Sequence, residues 1–206
     1  MRTQNKLFFI IYFVIYQIFA FAPAMAQNDQ TIQKIENYFH SFQTLKGRFA
    51  QKGADHNIVQ GTFYLQRPGK MRFDYDAPVP VSIIADGTWL IHYDSELEQA
   101  SRALQSSTPA DFFTRKKVKF GKDFFVEDLK ETDQQISVLV SNPQEEDYKV
   151  RLFFLKNPLT LKSWEVIRQG QVSTKVTLLT FKTDIQIDNG LFSFISPEWE
   201  KEKRRQ

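Results

Sequence analysis

Short runs of strict apolar–polar alternation, cut by proline–glycine punctuation, constrain this chain more than any other feature. In residues 59–66, continued by Arg67, one side carries Phe63, Leu65 and Arg67, and the other carries Thr62, Tyr64 and Gln66, until Pro68-Gly69 breaks the run. Met71, Phe73 and Tyr75 then alternate with Arg72 and Asp74 up to Ala77-Pro78. A third run covers 81–85, Asp86-Gly87 supplies a hairpin turn, and Trp89, Ile91 and Tyr93 alternate with Leu90 and His92 on the return. Period two places successive side chains on opposite faces of a strand, so these runs read as antiparallel hairpins with one buried face. That reading gathers Met71, Phe73, Tyr75, Trp89, Ile91 and Tyr93 on a single face.

Further strands are expected at 124–129, 135–140, 149–155, 161–168 and 172–181, separated by turn signals such as Ser141-Asn142-Pro143, Asn157-Pro158 and Gln169-Gly170. Phe192-Ser193-Phe194 suggests a last edge strand. One amphipathic helix precedes the strands. It starts from Asp29 as N-cap and carries Ile32, Ile35, Phe39 and Phe42 on one stripe, with Gly47 ending its neighbourhood. Thr108-Pro109 opens a short second helix mid-chain. Roughly ten short strands at even spacing describe one antiparallel sheet curled into a barrel or half-barrel.

The N-terminus has the grammar of a secretory signal peptide. Arg2 and Lys6 precede an apolar stretch at 7–21, and Ala24-Met25-Ala26 forms a small-x-small cleavage site. As a helix, that stretch reaches only about 22 Å, short of the ~30 Å hydrocarbon core. The expected organisation is therefore a cleaved segment at 1–26 and a single domain at 27–206, exported to the periplasm. With no cysteine, the domain lacks disulfides and has no lipid-modified N-terminus. Losing Arg2 and Lys6 takes two from the 27 basic residues against 24 acids, a net of about +1. No field of that size attracts nucleic acid. Basic clusters at Arg115-Lys116-Lys117 and in the tail at 201–205 read as solvated surface, or as a dock for an acidic partner or an anionic membrane.

Catalytic and metal-binding patterns are missing. There is no nucleophile elbow, phosphate-cradling glycine loop or paired-histidine helix, and no cofactor motif. His40, His56 and His92 are far apart in sequence and read as structural. Asp74 with Asp76 and Glu96 with Glu98 could in principle make an acid–base couple, but Asp74 falls on the outer side of its strand, Asp76 borders a turn, and Glu98 alone is not a mechanism. The chain reads as a non-enzyme.

Aromatic content is the positive signal. Of 20 Phe, 7 Tyr and 3 Trp, the leader removes five Phe and two Tyr, leaving a dense set for one domain. Aromatics fill a core or line a cavity, and composition does not distinguish the two. Arg67 bears on the choice, because it shares the face of Phe63 and Leu65. A buried guanidinium needs partners, and helix-end carbonyls are good ones. An inward arginine beneath helices suits a lidded cavity better than a packed core, although a filled core is the plainer reading of the alternation by itself.

The segment 61–75, GTFYLQRPGKMRFDY, resembles the signature of the LolA family of periplasmic outer-membrane lipoprotein carriers. Ala85-Asp86-Gly87, Tyr93-Asp94, Glu98-Gln99-Ala100, Thr108-Pro109 and Leu191-Phe192-Ser193-Phe194 followed by Pro197 continue the likeness in order. The resemblance implies a mainly β fold, an incomplete antiparallel β-barrel covered by a helical lid and enclosing a hydrophobic cavity. It implies acyl chains of lipoproteins as cargo, held by Phe63, Leu65, Met71, Phe73, Tyr75, Trp89, Ile91 and Tyr93, with Arg67 as latch between barrel and lid. Met71 stands where the family often has Phe, and Phe73 where Trp is common. The implied partners are an inner-membrane ABC lipoprotein-release complex and an outer-membrane lipoprotein receptor, served by a monomer. A carrier or binding module for another envelope lipid or glycolipid on the same fold is the alternative.

Overall fold

The structure, a computed structural model, describes residues 22–196. The chain divides into two compact units, 1–37 and 38–206. What is described of the first is helix α1 (Ala22–His40) as far as Asn37; its last turn belongs to the second. The helix starts seven residues before the expected cap at Asp29, because Ala22, Ala24, Met25 and Ala26 are strong helix formers and Pro23 is tolerated in a first turn. The n-region and apolar stretch of the expected leader lie outside the described residues, as do Pro197 and the basic tail. Among the described residues, no helix is long and apolar enough to cross a membrane.

The second unit is built on eleven strands: β1 (Thr44–Gly53), β2 (Ile58–Gln66), β3 (Lys70–Tyr75), β4 (Val81–Asp86), β5 (Trp89–Asp94), β6 (Gln99–Leu104), β7 (Phe125–Glu131), β8 (Gln135–Asn142), β9 (Glu145–Lys156), β10 (Leu159–Arg168) and β11 (Gln171–Thr183). They form one antiparallel sheet in the order β6-β5-β4-β3-β2-β1-β11-β10-β9-β8-β7. Two meanders thus meet where β1 pairs β11, and among the described residues the outer strands β6 and β7 do not pair, leaving an open half-barrel. Curling is severe. Phe73 on β3 and Trp164 on β10 are four strands apart, about 19 Å in a flat sheet. Their rings nevertheless lie 6.4 Å apart across the concave face.

That face carries the core. Register places Leu45 opposite Leu65, Leu65 opposite Met71 and Phe63 opposite Phe73, and Trp164 opposite Leu152, itself opposite Val138. Gly61 is required on this face, since a Cβ there would fall 2.7 Å from the Phe49 ring and 2.2 Å from the Asp74 carbonyl. The connection from β6 to β7 joins opposite edges of the sheet, so it must cross the open side. It does so as a 3-10 turn (Gln105–Ser107), helix α2 (Ala110–Thr114) and the segment 115–124, burying Phe112, Phe113, Val118 and Phe124. Helix α2 begins one residue later than expected, after Pro109.

The expected edge strand at 192–194 is absent. Residues Asn189–Phe192 form a 3-10 turn, with the Asp188 carboxylate accepting from the Gly190 N–H. Arg72 Nη1 donates to the Leu191 carbonyl at 2.9 Å, and Phe192 is buried. The segment runs over the outside of β3 and β4 instead of extending the sheet.

Candidate functional site

Between the concave face and α2 lies a cavity of about 260 Å3. Its lining comes from β1 (Gln51), β3 (Met71, Phe73, Tyr75), β4 (Ile83), β5 (Leu90), the α2 region (Pro109, Ala110, Phe113), β10 (Trp164, Val166) and β11 (Thr174, Val176). None of these side chains is charged. The Tyr75 hydroxyl donates to Gln51 Oε1 at 2.8 Å, so the one phenol on the wall is satisfied locally, and burial raises its pKa. Phe73 is the hub of an aromatic cluster. Its ring stands 4.9 Å from Phe49 and 4.6 Å from Phe63, and Phe113 from α2 meets Trp164 at 4.6 Å.

Arg67 follows β2 directly and is only 6% exposed. Its Nε donates to the Phe113 carbonyl of α2 at 2.8 Å. Its Nη1 donates to the Phe39 carbonyl in the last turn of α1 and, at 3.4 Å, to the Phe42 carbonyl. The guanidinium also lies 5.5 Å from the Phe39 ring and 5.0 Å from the Phe42 ring. Helix C-termini present unpaired carbonyls with partial negative charge, which is where a cation is best placed. Burial pulls the Arg67 pKa below the ordinary guanidinium value to about 10, so it remains charged at neutral pH. The same helix end is held twice more. Gly69, at φ 84°, donates its N–H to the Thr114 carbonyl, and Gln105 Nε2 donates to Thr114 Oγ1 while its Oε1 accepts from the Gly87 N–H. One arginine and one glutamine thus fasten the cover to two hairpin turns.

The expected cavity residues divide into three groups. Met71, Phe73 and Tyr75 line the cavity. Phe63 and Leu65 share their face but are buried behind them, 2% exposed. Trp89, Ile91 and Tyr93 lie on the opposite face, which corrects the expectation of a common face. Directly paired residues of an antiparallel ladder share a side. Met71 pairs Ala85 and Ala85 pairs Leu90, so Leu90 and His92 turn inward. Ile91 instead pairs Ile84 on the outside, Tyr93 meets Phe194 at 4.6 Å, and Trp89 lies under the Arg102 guanidinium. The hairpin register, not residue bulk, sets the face.

Other candidates resolve into structural pairs. Asp74 accepts from Arg72 Nε and the Ser82 hydroxyl, and Asp76 pairs with Arg48. Arg115 bridges Asp111 and Asp123. His40 Nε2 lies 3.0 Å from the Val118 carbonyl. Among the described residues, no group of His, Asp or Glu side chains is arranged to hold a metal ion.

Residues 40–195 match the family model described as outer membrane lipoprotein carrier protein LolA. An outer-membrane lipoprotein carrier protein of Alkalilimnicola ehrlichii is 27% identical over 201 residues, covering 94% of this chain and 92% of its own. An uncharacterized protein of Rickettsia prowazekii is 26% identical over 178 residues, covering 85% and 81%. The crystal structure of a LolA superfamily protein from Nitrosomonas europaea superposes with a TM-score of 0.44 at 10% identity, covering 79% of this chain and 97% of that one. With the family model spanning most of its length, this chain belongs to the LolA family of outer-membrane lipoprotein carriers.

Proposed function

We propose that the protein is a periplasmic carrier that takes the acyl chains of lipoproteins into the cavity around Phe73. In this reading residues 1–26 are removed on export. The carrier accepts its cargo from an inner-membrane ABC lipoprotein-release complex and delivers it to an outer-membrane receptor. The observation that carries the reading is an uncharged, largely apolar cavity closed by a cover that one buried arginine holds through backbone carbonyls. Such a wall offers nothing for bond-making chemistry and suits a ligand recognised by burial. Each buried methylene contributes about 0.8 kcal/mol, so two or three long chains are held strongly without polar contacts. The cavity volume of about 260 Å3 falls below the ~300–1,000 Å3 of ordinary ligand pockets. A cavity of this size is small for long acyl chains, so in this reading loading requires α2 and the last turn of α1 to lift.

The test measures release of an acylated lipoprotein from inner-membrane vesicles into the soluble fraction with this protein added. The expected result is a one-to-one soluble complex that passes its cargo to outer-membrane vesicles. Release of nothing, together with copurification of a glycolipid from the exported protein, would transfer the reading to another envelope lipid.

A further inference from the structure

The outer face of the sheet carries a second site, unrelated to the cavity. Where β1 lies between β11 and β2, Lys46 stands directly opposite Lys182 on one side and Tyr64 on the other, and Tyr64 stands opposite Arg72. One row across four strands thus reads Lys, Lys, Tyr, Arg. The next row reads Thr180, Arg48, Thr62 and Asp74. Lys46, Arg48, Thr62, Thr180 and Lys182 border a groove of about 410 Å3. Like charges placed directly opposite in a ladder cost stability, and here nothing offsets them. Asp76 is taken by Arg48, Asp74 is taken by both Arg72 and Ser82, and the Asp184 carboxylate accepts from the Gln43 N–H. Among the described residues, neither Lys46 nor Lys182 forms an ion pair; Lys46 Nζ lies 5.2 Å over the Tyr64 ring. Two lysines and two threonine hydroxyls therefore face a groove with no acid to meet them.

We propose that this groove binds the phosphate of an anionic lipid headgroup and seats the carrier's outer face on a membrane surface. Charge complementarity selects an oxyanion, and the adjoining residue selects a lipid as its source. Leu179 is the extra residue at the β11 bulge, beside Thr180, and is 45% exposed. A leucine projecting next to lysines fits the boundary between headgroups and acyl chains better than it fits bulk water. The seat leaves the concave face clear, and it does not depend on what the cavity carries.

The experiment compares sedimentation of the protein with vesicles of phosphatidylcholine alone and of phosphatidylcholine containing phosphatidylglycerol, at low ionic strength. Binding is expected only with phosphatidylglycerol. Lys46→Gln and Lys182→Gln should each weaken it about 5-fold, and the pair about 25-fold, while Lys46→Arg retains it. Binding of an apolar probe in the cavity should be unchanged in all four, which separates failure here from failure of the carrier reading. Lys116→Gln with Lys117→Gln serves as the control for unspecific charge and should bind as the parent does. Four outcomes of the vesicle experiment overturn the proposal. They are no preference for phosphatidylglycerol, an undiminished double variant, a loss equally produced by the control, or inorganic phosphate competing as well as lipid at equal phosphate concentration. A Glu-rich peptide that binds through Lys46 and Lys182 where vesicles do not would identify a protein partner and overturn the lipid assignment.

Discussion

Replacing Arg67 by methionine tests whether the cover is latched or merely packed. The guanidinium makes two good bonds, to Phe113 and Phe39, and a long one to Phe42. Bonds from a charged donor contribute about 1.5–3 kcal/mol each, so the gross gain is roughly 3–6 kcal/mol. Desolvation opposes it. The fall in the Arg67 pKa from its ordinary value to about 10 corresponds to about 3 kcal/mol disfavouring the charged form. Nη2 is buried without a partner, which adds to the opposing side. The net stabilisation of the closed form is then at most about 3 kcal/mol. Methionine keeps the apolar contacts with Phe39 and Phe42 and removes every bond. Two carbonyls would be left unpaired under the cover, which they escape by lifting it.

The open population should rise by up to about a hundred-fold, and the apparent Kd of a neutral apolar dye should fall by a similar factor. The assay is a dye titration run beside thermal unfolding. Tighter dye binding with a midpoint lowered by only a few degrees is the expected pair of results. Unchanged dye affinity with a collapsed midpoint would refute the latch and leave Arg67 as a folding residue. Arg67→Lys, which can reach one carbonyl but not two helix ends, should fall between the parent and methionine.

Three further outcomes are expected. Leu90→Asp should abolish dye binding, because an unpaired carboxylate facing the cavity costs several kcal/mol, whereas Trp89→Ala should leave it intact; equal effects would contradict the β4–β5 register. Gln105→Ala removes the donor to the Thr114 hydroxyl, which keeps its own bond to the Ala110 carbonyl, and the acceptor of the Gly87 N–H, and should cost about 1–3 kcal/mol, read as a fall in melting temperature of several degrees. In alkaline titration, Tyr148, pushed up to about 12 by burial, binds its proton more tightly when folded, so its contribution is lost as pH rises from about 10 to 12. Arg67 has the opposite sign, since its depressed value means the unfolded chain holds more protons above about pH 10. Arg67→Met should therefore lose stability more steeply above pH 10 than the parent, with no difference in slope between pH 6 and 9.

How much of this was legible depends on what each strand exposes. β2 through β5 announce themselves because bulky apolar residues alternate with polar ones between Pro-Gly and Asp-Gly breaks. β1 does not, although it is the central strand. Its inward positions are Leu45, Gly47, Phe49 and Gln51, and Gly47, which has to be small because a Cβ would meet Phe181, reads as a break. β6 has Ala, Ser, Arg and Ala at its centre and no apolar period at all. The cavity was half legible for a related reason. Alternation fixes which residues of one strand share a face, but joining two strands needs the turn register. Carrying parity by bulk across the Asp86-Gly87 turn chose Trp89 and Ile91 over Leu90. Ile84 and Ile91 are large and apolar because the outer face is buried there too, near Phe192, and an apolar residue on both faces erases the signal. The walls from β10 and β11 have no mark in the sequence beyond ordinary strands, since only the curl brings Trp164 to Phe73.

In the proposed carrier, the contacts of Arg67 couple two parts of the cover. Its Nε bonds a carbonyl of α2 and its Nη1 bonds carbonyls at the end of α1, so two covering segments remote in sequence share one anchor. Freeing either segment leaves the guanidinium with half its partners in a dry site, and that loss weakens its hold on the other. The segments should therefore open together. For a carrier this has a direct consequence. A cover opening piecemeal would expose the cavity a little at all times and leak cargo. A coupled cover stays shut until acyl burial, at about 0.8 kcal/mol per methylene, exceeds the whole latch. On the proposed reading, roughly four methylenes of cargo outweigh a latch of at most about 3 kcal/mol, so long chains should open the protein where short apolar peptides should not. The closed, empty state then remains close enough in free energy for an acceptor to reclaim the chains.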